Sequence, residues 1–269
     1  MKKIMFNDKY GLTEAVLERR KTQTRRILNP TMLFERLNTY EGWEKEDIAD
    51  WKECCKDRLY KAEGEELKEM LDYALVHSPY KVGDKVAIAQ RYIDLVSNDE
   101  FFRLCAIHGM PLEYLKFEKG CNNKMFVKTD LMPHHIRITN VRIEKLQDIS
   151  KEDVISEGFT KCYCNLNMGN TASQWEYHLA YFDKLGRSKE FSSVHAKEAY
   201  SFLIDHISGV GTWESNPFVF VYDFELLLAK KKLSRKSIKV LIYLNGFVYQ
   251  RIKLFVFCVR HLKSWRIEQ

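Results

Sequence analysis

The sequence predicts an α+β fold in which a small barrel or a curled sheet is accompanied by helices. Short segments with alternating apolar residues are mixed with a few amphipathic segments, and neither regular βαβ alternation nor an internal repeat is visible. The length of 269 residues and the hydrophobic fraction of 45% fit one folded domain with additions. The same figures exclude a wholly disordered or collagen-like chain.

The first elements are predicted to be helical. A short helix is expected where Leu12, Ala15 and Val16 lie at helical spacing after the possible N-caps Asn7 and Asp8. This helix runs into a densely basic segment at residues 19–26. Residues 32–74 are highly charged, with apolar residues at helical intervals, which predicts an inserted helical hairpin.

Three later segments are predicted to be strands: residues 85–89, 135–143 and 218–224, of which 135–143 alternates most strictly. A helix is expected to begin after Ser150 as N-cap and to stop at Gly158, and another is expected over residues 194–207. Residues 162–187 are predicted to be irregular.

The net charge of +6 is unevenly distributed along the chain. Residues 226–269 carry eleven basic residues and one acidic residue, so this segment has a charge of +10 and residues 1–225 have a charge of −4. Net charge therefore does not indicate that the body of the protein binds nucleic acid.

The basic C-terminal extension fits a hairpin around Asn245-Gly246, a pair of helices, or a segment added to the domain.

The sequence predicts a cytoplasmic protein that neither crosses nor binds a membrane. Charged residues interrupt the start of the chain before a signal-peptide core forms, and every apolar run is too short to span a bilayer. Seven cysteines, an odd number, fit free thiols in a reducing compartment. Their spacing does not match a zinc site, so neither a metal nor a cofactor is expected. The oligomeric state is not predicted.

The basic segment 19–26 is the best candidate for a functional site. Lys21 and Thr24 are three residues apart and would point the same way at a helix end or turn, with Arg20, Arg25 and Arg26 around them. Crowded cations disfavour the charged form of one more amine, so the pKa of Lys21 is expected to be lowered, as a base requires. The same residues also fit a solvent-exposed basic helix end.

Several blocks occur in a fixed order: residues 18–26, 79–84, 132–133, 137–158 and 213–224. Together they resemble ASCH domains, which are small β-barrels related to PUA domains, and in particular the longer ASCH proteins of phages and prophages. The resemblance implies a PUA/ASCH-like barrel with peripheral helices over residues 1–225. It also implies helical and other insertions at about 31–78, 93–127 and 160–193, and it does not extend over residues 226–269.

The resemblance also implies chemistry. Small bacterial ASCH proteins hydrolyse the amide of N4-acetylcytidine with a Lys, a Thr and a Glu, which correspond here to Lys21, Thr24 and Glu157. In this hypothesis Thr24 attacks or holds a water, Lys21 activates it, Glu157 passes a proton to the leaving amine, and Arg26 or a backbone N–H stabilises the oxyanion.

The alternative hypothesis is a nucleic-acid-binding module without catalysis. In it Arg20, Lys21, Arg25 and Arg26 contact the phosphates of RNA or DNA. The two hypotheses thus have different partners, a modified nucleoside or a nucleic acid. Gln90 stands where the phage-type relatives carry an acid, so a hydrogen bond to substrate is expected there rather than base catalysis.

Overall fold

The structure is a computed structural model, and it describes residues 1–33, 45–95, 120, 122–164, 174–182 and 187–227. The chain divides into two compact units. The smaller unit includes Met1–Phe6 and Lys85–His135, and the larger unit includes Asn7–Asp84 and Ile136–Leu226. The predicted C-terminal extension lies outside the described residues, apart from its first two positions. Parts of each predicted insertion lie outside them as well.

The described elements are those of an α+β protein. The strands are β1 (Lys3–Ile4), β2 (Gln23–Ile27), β3 (Lys85–Ile88), β4 (His135–Lys145), β5 (Thr160–Cys164), β6 (Gln174–Phe182), β7 (Ser188–Ser193) and β8 (Phe218–Leu227). The α-helices are α1 (Leu12–Leu17), α2 (Lys45–Lys61), α3 (Gly64–Val76), α4 (Tyr92–Leu95), α5 (Lys151–Ser156) and α6 (Ala196–Ser208). The sheets formed by the described residues are not closed into a barrel.

In the larger unit, β4, β8 and β2 lie side by side in that order. Strand β2 is antiparallel to β8, with Thr24 opposite Tyr222 and Arg25 opposite Val221. The first five residues of β8 are all buried, so both faces of this strand are covered. A run of Phe, Val and Tyr suits such a position, because β-branched and aromatic side chains pack well on a pleated surface. The predicted strands at 135–143 and 218–224 are confirmed.

The basic segment 19–26 is only partly a helix end. Helix α1 stops at Leu17, Arg19 has a φ of 64° and reverses the chain, and β2 begins at Gln23. The helix-end form of the expectation for Lys21 and Thr24 is therefore wrong, since Lys21 lies in the turn after α1 and Thr24 lies on β2. Adjacent residues of a strand face opposite sides of the sheet. From Gln23 onward, side chains therefore alternate between the two faces of β2 instead of following the spacing of a helix.

Helix α5 begins and ends as predicted. The Ser150 hydroxyl accepts a hydrogen bond from the Asp153 N–H at 3.0 Å, which caps the first turn. Gly158 follows with a φ of +110°, a conformation that residues with a Cβ rarely adopt, and it stops the helix. A Cβ built there would lie 3.5 Å from the Cβ atoms of Ala15 and Lys21. The turn therefore brings Glu157 beside the segment that precedes β2.

Residues 162–187 were expected to be irregular, and this is wrong for the described part. Strands β5, β6 and β7 form a separate antiparallel sheet in the larger unit. One face is anchored by aromatic stacking, in which Tyr181 lies 4.8 Å from Phe191 and 5.1 Å from Tyr10 between ring centroids. The alternation of Trp175, Tyr177, Leu179 and Tyr181 is the strand signal for β6.

The predicted hairpin within residues 32–74 is confirmed by α2 and α3. Leu59 and Ala74 are buried, and the Tyr60 ring lies 6.0 Å from the Phe218 ring at the start of β8. The hairpin therefore lies against the start of β8 within the larger unit.

In the smaller unit, β1 pairs in parallel with β3, and Ala87 and Ala89 pack with Val127 and Met132. The strand predicted at 85–89 is confirmed by β3. Among the described helices of both units, none is long and apolar enough to cross a membrane.

Candidate functional site

Lys21 is a buried cation placed between α1 and β2. Its backbone N–H donates to the Ala15 carbonyl at 2.9 Å, which ties the turn after α1 back onto the helix. The side chain is only 2% exposed. An amine in this position needs a partner, because burial strongly disfavours an isolated charge.

Glu157 supplies that partner from the other side of the site. The Lys21 Nζ donates to the Glu157 carbonyl oxygen at 3.0 Å and also to Oε2 of the Glu157 carboxylate. The Glu157 side chain is 5% exposed. Lys21 and Glu157 thus form a buried ion pair, and the resemblance assigns catalytic roles to both residues.

Burial lowers the pKa of Lys21 below its usual value. The Glu157 carboxylate opposes this effect, and the charges of Arg26 and Arg25 add to it. The lowered pKa expected from the sequence is therefore confirmed in direction, although burial is a larger cause than the neighbouring cations. A lowered pKa favours the neutral amine, which is the form that accepts a proton.

Arg25 connects this pair to a set of carboxylates. Its Nη1 lies 3.3 Å from Oε1 of Glu157, and its Nη2 lies 2.6 Å from Glu144 Oε1 and 2.9 Å from Asp153 Oδ2. Burial lowers the pKa of Arg25, but Glu157, Tyr200 and Glu144 outweigh it, so the pKa is raised overall. Arg25 therefore remains charged and holds three carboxylates at once.

A second set of contacts surrounds Arg25. Gln23 shares its face of β2 and donates from Nε2 to Asp153 at 2.9 Å and to Asp223 at 2.6 Å. Arg142 on β4 lies 3.1 Å from Asp153 and 2.8 Å from Asp223. Cations and carboxylates alternate through this network, so each buried charge has at least one partner of opposite sign.

Tyr200 on α6 lies against the same groups. Its side chain is fully buried, and the Arg25 guanidinium carbon is 6.0 Å from its ring centroid. Burial raises the pKa of Tyr200 well above its usual value, and the charge of Glu157 raises it further. The phenol therefore stays protonated beside the Glu157 carboxylate.

Thr24 is buried on β2, and its position differs from that of Lys21 and Glu157. Gln23 and Arg25 share one face of the strand, so Thr24 points to the other face. Among the described residues, the Thr24 hydroxyl makes no hydrogen bond with Lys21 or Glu157. The structure thus pairs two of the three predicted catalytic residues, and the catalytic role of Thr24 stays a prediction.

The predicted binding residues have different environments. Arg20 is exposed and pairs with Glu18 at 2.7 Å, whereas Arg25 is buried and Arg26 is half-buried. Gln90 belongs to the smaller unit, where its backbone N–H donates to the Met132 sulfur at 3.3 Å. The Gln90 Oε1 is buried without a hydrogen-bond partner among the described residues.

Sequence reasoning missed most of the residues that hold the pair in place, which are Gln23, Arg142, Glu144, Asp153 and Tyr200. The alternation of Arg142 and Glu144 along β4 was the available signal, because it puts two opposite charges on one face of a strand. Asp153 was recognised only in its capping turn. Within the described part of the chain, no cluster of three His, Cys, Asp or Glu residues is arranged to hold a metal ion.

Comparison with known proteins finds no match: no family model fits the chain, and neither a curated protein nor a solved structure is significantly similar to it.

Proposed function

We propose that this protein is an amidohydrolase of ASCH type that removes the acyl group from N4-acetylcytidine or a similar modified nucleoside. The observation that carries the proposal is the buried contact between Lys21 and Glu157. The two residues are 136 positions apart in the sequence, and they are the residues that the resemblance pairs in catalysis. The PUA/ASCH-like barrel is part of this proposal.

The pair is suited to move a proton from an attacking oxygen to a leaving nitrogen. In its neutral form, the Lys21 amine takes a proton from the attacking oxygen, and that oxygen attacks the amide carbonyl. A water beside Lys21 fits the described contacts; attack by Thr24 requires its hydroxyl to turn toward Lys21, because it points to the other face of β2 in this structure. Lys21 passes this proton directly to Glu157, to which it is hydrogen bonded. Glu157 then gives it to N4 of cytidine as the C–N bond breaks.

The products depend on which oxygen attacks. If water attacks, acetate and cytidine are released in one cycle that consumes one water. If Thr24 attacks, the acetyl group is first an ester on Thr24, and a water then hydrolyses this ester to acetate. In both cases the oxyanion needs a cation or an N–H donor, and Arg26 is the candidate because it is half-buried and acts electrostatically on Lys21.

Burial also argues against the alternative function. Phosphate contacts need cations that reach solvent, but Lys21 and Arg25 are buried and bound to carboxylates. Two of the four residues expected to bind phosphate, Lys21 and Arg25, are therefore already paired with carboxylates of the protein. The same contacts support a role inside a closed site, where low dielectric strengthens electrostatic interactions.

The test is incubation with N4-acetylcytidine, with cytidine release measured by chromatography. We expect turnover by the wild type and a loss of at least about 100-fold in Glu157→Gln, Lys21→Ala and Thr24→Ala, the order of a general acid–base contribution. Arg20→Ala is the matched control because its ion pair with Glu18 is exposed, and it should retain activity.

Circular dichroism separates lost catalysis from lost folding, and Glu157→Gln is the most informative variant because it keeps the shape of the side chain. Absence of cytidine release by folded wild-type protein contradicts the proposal. Steeply salt-dependent RNA binding that is lost in Arg20→Ala would then favour the binding module.

A further inference from the structure

The carboxylate of Glu157 has a different cation on each of its two oxygens. Oε2 accepts a hydrogen bond from Nζ of Lys21, whereas Oε1 lies 3.3 Å from Nη1 of Arg25. The last torsion of a glutamate side chain has only a broad preference, so these contacts, rather than a rotamer, decide which oxygen faces Lys21. Arg25 therefore contributes to the orientation of the group that moves a proton in the proposed reaction.

Arg25 is itself fixed by its other contacts. Its backbone lies in β2 opposite Val221, and its side chain is 1% exposed. Nη1 donates a hydrogen bond to Oε1 of Gln23. Nη2 lies 2.6 Å from Glu144 and 2.9 Å from Asp153. A guanidinium bound through both terminal nitrogens has a defined geometry, so it holds Oε1 from a fixed position.

The same contact decides which oxygen of Glu157 can carry a proton. A guanidinium has five N–H donors and no acceptor, so a proton on Oε1 would face donors and find no partner in Arg25. A proton on Oε2 faces Lys21, whose neutral amine accepts a hydrogen bond. When the proton moves, an N–H bond of the Lys21 ammonium breaks and an O–H bond forms on Oε2, and the pair has no net charge before or after the transfer.

Other charged and titratable groups also act on this pair. The charge of Arg26 on β2 lowers the pKa of Lys21, as the charge of Arg25 does. The phenol of Tyr200 on α6 lies beside the Glu157 carboxylate and has a raised pKa, so it stays protonated. Arg25 differs from both because it is a cation in direct contact with Oε1.

We propose that Arg25 is a positioning residue of the reaction, which holds Oε1 of Glu157 and thereby reserves Oε2 for proton exchange with Lys21. The inference rests on the proposed function and deepens it, because it assigns the moving proton to one oxygen and the orientation of that oxygen to one residue. The alternative hypothesis expected Arg25 to contact phosphate; this inference gives it a role inside the site instead.

Steady-state hydrolysis of N4-acetylcytidine, measured as a function of pH, tests this role with two variants. Arg25→Lys keeps the positive charge but loses the two-nitrogen geometry of the guanidinium. We expect kcat to fall about 10- to 100-fold with KM unchanged within about twofold, because a misoriented proton carrier slows the chemical step. The acidic limb of the pH profile should stay in place, since the charge is kept.

Arg25→Gln removes the charge, and with it one of the causes that lower the pKa of Lys21. The pair of Lys21 and Glu157 should then take up a proton at higher pH. We therefore expect the acidic limb of kcat to move upward by about 1 pH unit or more. A purely structural contribution of Arg25 would lower the folded fraction but leave this limb in place.

Two controls separate the role from lost stability. Arg137→Lys makes the same replacement on β4, at an arginine whose ion pair with Glu225 is exposed. Leu59→Ala opens a cavity at a buried position of α2 and should cost about 2–5 kcal/mol without touching the charge network. Both should keep the kcat and the pH profile of the wild type under conditions in which circular dichroism shows them folded.

The inference is overturned if Arg25→Lys keeps the kcat of the wild type, if only its KM changes, or if the acidic limb stays in place in Arg25→Gln. With an active wild type, each of these results removes the role of Arg25 alone and leaves the proposed function intact. If Arg25→Gln does not fold, kcat and KM of Arg25→Lys decide. A folded wild type that releases no cytidine contradicts the proposed function, and the role of Arg25 with it.

Discussion

Replacing Arg25 with alanine tests whether the charge network stabilises the fold. The guanidinium is 1% exposed and contacts Glu144, Asp153 and Glu157, so its removal leaves three carboxylates without this cation. Removing one partner of a buried ion pair typically costs about 3–5 kcal/mol. We expect the lower end, about 3 kcal/mol, because each carboxylate keeps another cation: Lys21 for Glu157 and Arg142 for the other two.

The assay is urea denaturation at neutral pH, monitored by circular dichroism. Arg20→Ala is the control, since its pair with Glu18 is exposed on both sides and should contribute about 0–1 kcal/mol. Arg25→Lys keeps the charge, but an ammonium cannot contact several carboxylates in the geometry of a guanidinium. Its loss in free energy of unfolding should therefore lie between those of Arg20→Ala and Arg25→Ala. A loss below about 1 kcal/mol in Arg25→Ala, equal to that of the control, would refute the reasoning.

Three further predictions concern the elements that hold Glu157 and its neighbours. Ser150→Ala should lower the free energy of unfolding by about 1 kcal/mol, because the Asp153 N–H loses its cap; equal stability in urea would contradict this. Gly158→Ala should cost about 1–3 kcal/mol through its φ of +110°, since the new Cβ contacts at 3.5 Å are ordinary; an unchanged midpoint would show that the turn relaxes freely. The pKa of Asp153 is lowered: burial raises it, but Gln23, Arg25 and Arg142 outweigh that effect. A lowered folded-state pKa stabilises the protein above the unfolded value, so the difference in stability between wild type and Asp153→Asn should be constant near neutral pH. That difference should shrink as the pH falls below 3.8 through the folded-state pKa, and a difference that grows on acidification would contradict the sign.

Local signals in the sequence predicted the elements that carry the site. The alternation of residues 135–143, the Ser150 cap and the stop at Gly158 depend on residues a few positions apart, and all three are confirmed. The sheet of β5, β6 and β7 was missed although β6 alternates, because β5 is short and mostly polar. Periodicity arguments are weak for such strands.

The charge network could not be predicted in the same way. A sequence shows that residues 19–26 are basic, but burial of Lys21 and Arg25 depends on carboxylates more than a hundred positions away. Basic residues without these partners are expected in solvent, which is why the residue types alone favour an exposed helix end. Because they pair with these distant carboxylates, the same basic side chains lie in the interior as part of a charge network.

The sequence distance between Lys21 and Glu157 has a consequence during synthesis. At about 5–20 residues per second, the ribosome adds Glu157 roughly 7–27 seconds after Lys21, because 136 residues separate them. For most of that interval the nascent chain contains Lys21, Arg25 and their basic neighbours without Glu144, Asp153 or Glu157. The basic segment is therefore made well before the carboxylates that neutralise it, and β2 has to wait longer still for its neighbour β8, which begins at Phe218.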